Sequence, residues 1–249
     1  MALTAAQICD LARQAAKCPG YGPQSGQLLN AILQELCQRW DFDTAKRFYT
    51  FNFNPSLTTL VGNAAIGSGP YPLPADFLRC VGSGKDCYWT LLGVPYPMIP
   101  IDLSEFDMTV QQAGLNAYPY WFATDVSLND AAQEGLSVPY AYVYPPPSGA
   151  YPVYLRYFSQ MPDIVTPETS ATIPWFPNSQ YLRKRLTGEL MDITADDRGP
   201  ATLAEAKEIL TGYLALKDDK SDRSQEVKLD RRRFSGDFNK LRNTKTIGW

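Results

Sequence analysis

Tyr140-Ala-Tyr-Val-Tyr-Pro-Pro-Pro-Ser-Gly-Ala-Tyr-Pro-Val-Tyr-Leu-Arg-Tyr157 decides how the chain is read. In Tyr140–Tyr144 every second residue is tyrosine, and in Tyr151–Ser159 bulky apolar residues again fall on alternate positions. A period of two belongs to half-buried strands. Pro145-Pro-Pro-Ser-Gly149 between them carries turn chemistry, so the stretch predicts a β-hairpin. Working outward, Tyr71-Pro-Leu-Pro-Ala-Asp-Phe-Leu-Arg79 is extended, because each proline pushes its predecessor out of the α region. Asp76 caps a short turn there, and β structure resumes over Phe77–Val81. In Arg47-Phe-Tyr-Thr-Phe-Asn-Phe53, Tyr49, Phe51 and Phe53 alternate with polar partners and predict another strand. Leu91–Ile101 reads as one extended stretch, Ser104 to about Gln112 as a short helix, and Tyr118–Asp125 as an aromatic strand.

At both ends of the chain the period changes to that of a helix. Thr4 with Gln7 forms a capping box, and Ile8, Leu11, Ala12 and Ala15 share a face, which predicts a helix from Thr4 to about Lys17. Cys18-Pro-Gly-Tyr-Gly-Pro23 ends it with turn residues. A second helix is predicted from about Ser25 to Trp40, with Leu29, Ile32, Leu33, Leu36, Cys37 and Trp40 as its buried stripe. After a proline-rich crossover, Thr166–Pro177, Asn178 or Ser179 caps a third helix carrying Leu182, Leu186, Leu190 and Ile193 on one face. Gly199-Pro200 breaks it and presets the next, which runs to about Lys217 with Leu203, Ala206, Leu210, Tyr213 and Leu214 inward.

The predicted fold class is therefore α+β. A bundle is built from the N- and C-terminal helices, residues 1–45 and 175–220. A β-rich insertion spans 46–174, and an extended arm spans 221–249.

Composition excludes several function classes. With 45% hydrophobic and 20% charged residues the chain is an ordinary globular one. It has no apolar run long enough to span a membrane, and its N-terminus lacks a secretory pattern. The five cysteines, Cys9, Cys18, Cys37, Cys80 and Cys87, are odd in number and scattered, which reads as free thiols in a reducing cytoplasm. There is no histidine, which removes His-based nucleophilic triads, His-ligated zinc and His proton shuttles. Carboxylate–metal chemistry is the enzymatic option left.

Candidate sites are few. Asp192 and Asp196, with Asp197 beside them, lie four residues apart on one helix face, a spacing a magnesium nuclease would use. No further ligands are identifiable, so a solvated acidic face is the reading. Asp102, Glu105 and Asp107 suit the N-terminal dipole of a short helix. Gly67-Ser-Gly69 lacks the Lys and helix start of a phosphate loop and reads as a turn. The Tyr118–Phe122 aromatic run fits core packing or a subunit interface, with a sugar-stacking platform as the alternative. No catalytic, cofactor-binding or metal site is assigned.

The arm carries the strongest binding signal. From Lys217 to the end there are ten Lys/Arg and six Asp/Glu, a balance of +4. The whole chain is −3, so the rest is −7. Leu229, Phe234, Phe238, Leu241, Ile247 and Trp249 are spaced among Arg231, Arg232 and Arg233. Apolar anchors beside guanidiniums suit grooves on a protein partner better than a nucleic acid. An acidic body would let passing DNA slide rather than stick.

Taken in series, the two N-terminal helices, the aromatic strand, Tyr71–Arg79, the Pro145–Pro147 and Tyr151–Tyr157 segment and Trp175-Phe-Pro-Asn-Ser-Gln-Tyr-Leu182 resemble the head-to-tail adaptors of short-tailed bacteriophages. These are the tail tubular protein A-like or head-completion group. The likeness covers most of the chain. It implies a structural protein of the virion, assembled in the bacterial cytoplasm and placed at the head–tail junction. It further implies a ring of about twelve copies under the portal, a β insertion facing tail nozzle or tail fibre proteins, and a C-terminal arm embracing the portal. Double-stranded DNA would pass through without sequence-specific contact. Leu229, Arg231, Arg232, Arg233, Phe234, Phe238, Leu241 and Trp249 are then the expected portal-binding residues. One related lineage is linked to cell-wall hydrolysis, but no acid pair here matches such a site. A carboxylate-dependent hydrolase and a glycan-binding tail component stand as the alternatives.

Overall fold

A computed structural model describes residues 2–56, 69–81, 87–110, 117–126 and 139–221. In chain order these form α1 (Ala5–Ala15), α2 (Gly22–Arg39), β1 (Lys46–Asn52), β2 (Tyr71–Pro72), β3 (Phe77–Cys80), β4 (Cys87–Leu91), β5 (Val94–Pro97), β6 (Ile99–Pro100), α3 (Leu103–Val110), β7 (Trp121–Asp125), β8 (Tyr140–Tyr144), β9 (Pro152–Ser159), α4 (Ser179–Ile193) and α5 (Gly199–Ser221). Helices from the two ends pack together and the strands lie between them in sequence, as expected of an α+β chain.

The helices form where their local signals put them, but Leu11 and Ala15, expected on the buried face of α1, are exposed, and Ala5 and Cys9 are buried with Ile8 and Ala12 instead. The Thr4 hydroxyl accepts the Gln7 amide at 3.3 Å, and the Gln7 side chain accepts the Thr4 amide at 3.0 Å. The next two free amides of α1, those of Ala5 and Ala6, donate to the carbonyls of Thr172 and Ser170 in the crossover, which satisfies donors a helix start leaves open. Helix α2 begins at Gly22 rather than Ser25, because Pro23 fits the first turn, where its missing N–H costs nothing. Helix α4 is central and packs against α1, α2 and α5. Its Leu182, Leu186 and Leu190 are fully buried, whereas Ile193, expected on the same face, is 52% exposed at the helix end. A Cβ on Gly188 would lie 2.5 Å from Leu203 Cδ2, so this glycine sets how closely α5 approaches. Helix α5 continues to Ser221, one turn past the predicted end.

The strands make two sheets. One has the order β1-β9-β4-β5, with β3 also paired to β9; the other is β2-β8-β7-β6. The expected hairpin of β8 and β9 does not form. Strand β8 pairs with β2 and β7, while β9 pairs with β1 on one side and with β4 and β3 on the other. Both edges of each strand are thus already taken. The linking prolines have no amide to donate to a hairpin ladder. Instead the Pro146 carbonyl accepts the Ala117 amide at 2.8 Å and the Ser148 amide donates to the Ala117 carbonyl at 3.0 Å. The turn residues mark a corner where the chain changes sheets.

The extended stretch Leu91–Ile101 also resolves differently. Leu92 and Gly93 form a two-residue turn with φ of 51° and 81°, a backbone twist suited to a hairpin. A leucine there gives no sequence signal, since Asn or Gly is the usual choice. Past the turn the chain pairs as β5 in one sheet, bends at fully buried Met98 and pairs as β6 in the other. Phe53, Tyr71, Trp89, Phe122, Val143, Val153, Leu155 and Tyr157 fill the space between the sheets. Helix α3 covers the second sheet through buried Phe106, whose ring lies 5.8 Å from Tyr142. On the opposite outer face, Phe48, Tyr154 and Tyr88 stack in a row, with centroid spacings of 5.9 and 5.0 Å.

Candidate functional site

The Tyr71–Arg79 stretch builds the joint between helices and sheets. Tyr71 and Pro72 pair with Ala141 and Tyr140 in one sheet. The Phe77 amide then closes a turn onto the Pro74 carbonyl at 2.9 Å, and Phe77–Cys80 joins β9 in the other sheet. At the turn, the Tyr157 hydroxyl donates to Asp76 Oδ1 at 2.9 Å. Burial, then this bond to a carboxylate, pushes the Tyr157 phenol up to about 12, so it stays a donor.

Arg79 ends the stretch and reaches across to the last turn of α2. Its guanidinium donates to Asp41 Oδ1 at 3.0 and 2.6 Å, to the Gln38 carbonyl at 3.0 Å and to the Trp40 carbonyl at 3.2 Å. It lies 5.2 Å above the Phe158 ring. A cation on the open carbonyls at a helix C-terminus satisfies acceptors and complements the dipole. Beneath it, Cys37, Ala45 and Phe158 form a small buried cluster between the two larger cores. The Ser159 hydroxyl donates to the Ala45 carbonyl at 3.0 Å, and the Cys37 thiol donates to the Ser159 carbonyl at 3.1 Å. The chain leaving β9 is then stitched along α2. Gln34 donates to the Met161 carbonyl at 2.8 Å, and Asn30 exchanges two bonds with Ile164 at 3.0 and 3.1 Å. These contacts, buried and neutral at Ser159 and charge-assisted at Arg79, couple the two regions. Sequence reading singled out Tyr71–Arg79 as a pattern, but nothing in it names α2 as Arg79's partner.

The other sequence candidates fall into place around this joint. Asp196 clamps Arg198 at 2.6 and 3.0 Å. Those hydrogen bonds hold its carboxyl down at about 2. Among the described residues no group of three metal-ligating side chains converges. Asp192 and Asp197 at that helix end are exposed. In the Tyr118–Phe122 run, Phe122 is buried and Tyr118 stacks 5.4 Å from Trp89. The Trp89 indole donates to the Pro119 carbonyl at 3.0 Å, so the run plugs one end of the sandwich core. All five cysteines are free thiols, and burial pushes Cys80 up to about 12, far from a reactive thiolate. Asp102 and Glu105 flank the start of α3. Leu229, Arg231, Arg232, Arg233, Phe234, Phe238, Leu241 and Trp249 lie outside the described residues.

A body of helices joined in this way to an aromatic sandwich suits a connector. Residues 3–233 match the family described as SU10 adaptor protein. The chain belongs to the SU10 adaptor family. No curated protein matches it. As an SU10 adaptor it is a head-to-tail adaptor of short-tailed phages, a structural protein of the virion located at the head–tail junction. The adaptor's joint at Arg79 falls well inside the matched span.

Proposed function

We propose that this adaptor docks on the portal through its C-terminal arm, residues 221–249, and forms a ring of about twelve copies that continues the DNA channel. The helical body, 1–45 and 175–220, faces the portal. The β insertion, 46–174, faces tail nozzle or tail fibre proteins. Double-stranded DNA passes without sequence-specific contact along a surface whose net charge of −7 outside the arm disfavours sticking. The observation that carries this reading is the charge and anchor pattern of the arm: a +4 segment in which Leu229, Phe234, Phe238, Leu241 and Trp249 punctuate Arg231, Arg232 and Arg233. Such a segment binds a wide protein surface by ordering on it.

Purified protein mixed with assembled portal rings is expected to form a complex whose mass gives the copy number. Deleting 228–249 is expected to abolish that complex while circular dichroism and Tm stay unchanged. Undiminished docking of the shortened, folded protein sinks the assignment of the arm.

A further inference from the structure

A groove of about 480 Å³ runs over the helical body where α2, α4 and α5 meet. Its floor is apolar: Trp40, Tyr181, Leu203, Leu210 and Leu214. Its rim is not the acidic surface that the chain's overall charge leads one to expect. Arg39, Arg185 and Lys207 line it against a single carboxylate, Glu35, so three minus one leaves +2. Around it Glu189 pairs with Arg185 at 2.7 Å and Glu205 with Lys184 at 2.6 Å. Glu35 is shared between Arg39 at 2.9 Å and Arg185 at 3.4 Å. Lys207 makes no ion pair among the described residues, whereas Arg185 is already engaged by Glu35 and Glu189. Cationic capacity is left over around a greasy floor.

The geometry points to this groove as the seat of an acidic helical segment with apolar anchors, presented by the protein on which the arm docks. This rests on the reading that the helical body faces the portal. Charge selects the occupant. The chain's own arm carries +4 and would be repelled by the rim. A DNA backbone satisfies the cations but leaves the Trp40 and leucine floor wetted, whereas a helix with Leu or Phe at i, i+3 or i+4, and i+7 covers it. Position agrees. Leu214 stands seven residues before Ser221 on α5, about 10 Å along the helix axis, so the groove lies at the root of the arm. Arm and groove would then grip one partner at two points, and the second contact benefits from the effective concentration set by the first.

The test uses the full-length protein and a fluorescent Glu/Leu amphipathic helical peptide, with the matching Lys/Leu peptide as control. Fluorescence anisotropy is expected to show binding of the acidic peptide that weakens with salt, and none of the basic one. Lys207 and Thr211 are exposed and one turn apart on α5. The double variant Lys207→Glu/Thr211→Glu is expected to bind the acidic peptide about tenfold more weakly, with Lys207→Arg unchanged. Equal binding of both peptides, or unchanged affinity in the double variant, overturns the proposal. A photo-crosslinking residue at Thr211 gives a reading independent of the charge variant. Mixed with portal rings, it is expected to join the portal chain; joining only a second copy, or only duplex DNA, overturns the proposal. Arg231→Ala/Arg232→Ala/Arg233→Ala separates the two ideas. Portal affinity drops in that variant if the arm docks there, yet acidic-peptide binding stays. If wild-type protein ignores portal rings, the portal reading falls and the peptide result alone judges the groove's chemistry.

Discussion

The helical body and the β sandwich are organised around one element each, but by different means. Helix α4 touches three other helices, and its core is mainly aliphatic, with Ile8, Leu29, Leu36, Leu182, Leu186 and Leu190, and carries one aromatic group, Phe42, Phe176 and Tyr181. Strand β9 holds three other strands, and its core is aromatic, with Trp89, Phe53, Tyr71 and Tyr157 around Val153 and Leu155. In the body, most hydrogen bonds close within a helix, and burial decides only which faces meet. In the sandwich, every pairing except the β4–β5 hairpin joins residues far apart in sequence, so pairing and burial must be solved together. The contrast teaches that the aromatic region depends on long-range agreement, while the helical region depends on close approach between preformed rods.

The largest test of that contrast compares the two centres. Trp89→Ala removes a fully buried ring that stacks on Tyr96 at 4.5 Å and Tyr151 at 4.8 Å, and is expected to cost about 4 kcal/mol. Leu186→Ala in α4 is expected to cost about 3 kcal/mol. Urea denaturation followed by near-ultraviolet circular dichroism, to which the sandwich contributes most of the aromatics, against the helical signal at 222 nm shows whether each loss stays in its own region. Coincident transitions in both variants mean the joint couples them; separated ones mean it does not.

Gly188→Ala comes next. Leu203 Cγ and Cδ2 sit 2.7 and 2.5 Å from where the new Cβ would be, so α5 must move. A loss of about 2 kcal/mol is expected, seen as a lower urea midpoint. A neutral result would mean the body tolerates spacing changes that rigid packing forbids.

Arg79→Ala probes the joint itself. It strips the Gln38 and Trp40 carbonyls of a cationic donor and is expected to cost about 1.5 kcal/mol. The Asp41 pair adds little, because that carboxylate is 63% exposed and screened. More telling than the size is the form: the two optical transitions should separate in Arg79→Ala and stay together in wild type. The smallest effect is expected at Leu92, which is 97% exposed at φ 51°. Leu92→Asn should stabilise by about 0.5 kcal/mol, since Asn accepts that backbone conformation more readily. A loss instead would show that this leucine packs on something in the folded monomer.

Strand positions were legible in Tyr49, Phe51, Tyr140–Tyr144 and Val153–Tyr157, because alternation is local. Strand partners were not. The Pro145–Gly149 signal says that the chain turns, and a hairpin and a sheet-switching corner satisfy it equally. The Leu92–Gly93 turn was invisible because leucine is an uncommon resident there. Arg79's role was hidden for the same reason that β9's three partners were: its acceptors, the carbonyls of Gln38 and Trp40, are backbone atoms that any sequence would supply.

Residue order alone settles where α1, α2, α4 and α5 run to within about one turn, and that 221–249 is a basic, anchor-bearing segment. These rest on capping, periodicity and charge, which act over a few residues. Folding in three dimensions settles that β8 and β9 part company into different sheets, that Arg79 closes the end of α2, and that a cationic groove opens on a body whose net charge outside the arm is negative. Those depend on which backbone edges and helix ends arrive side by side. No short-range preference encodes that, because an unpaired amide or carbonyl looks the same until a partner reaches it.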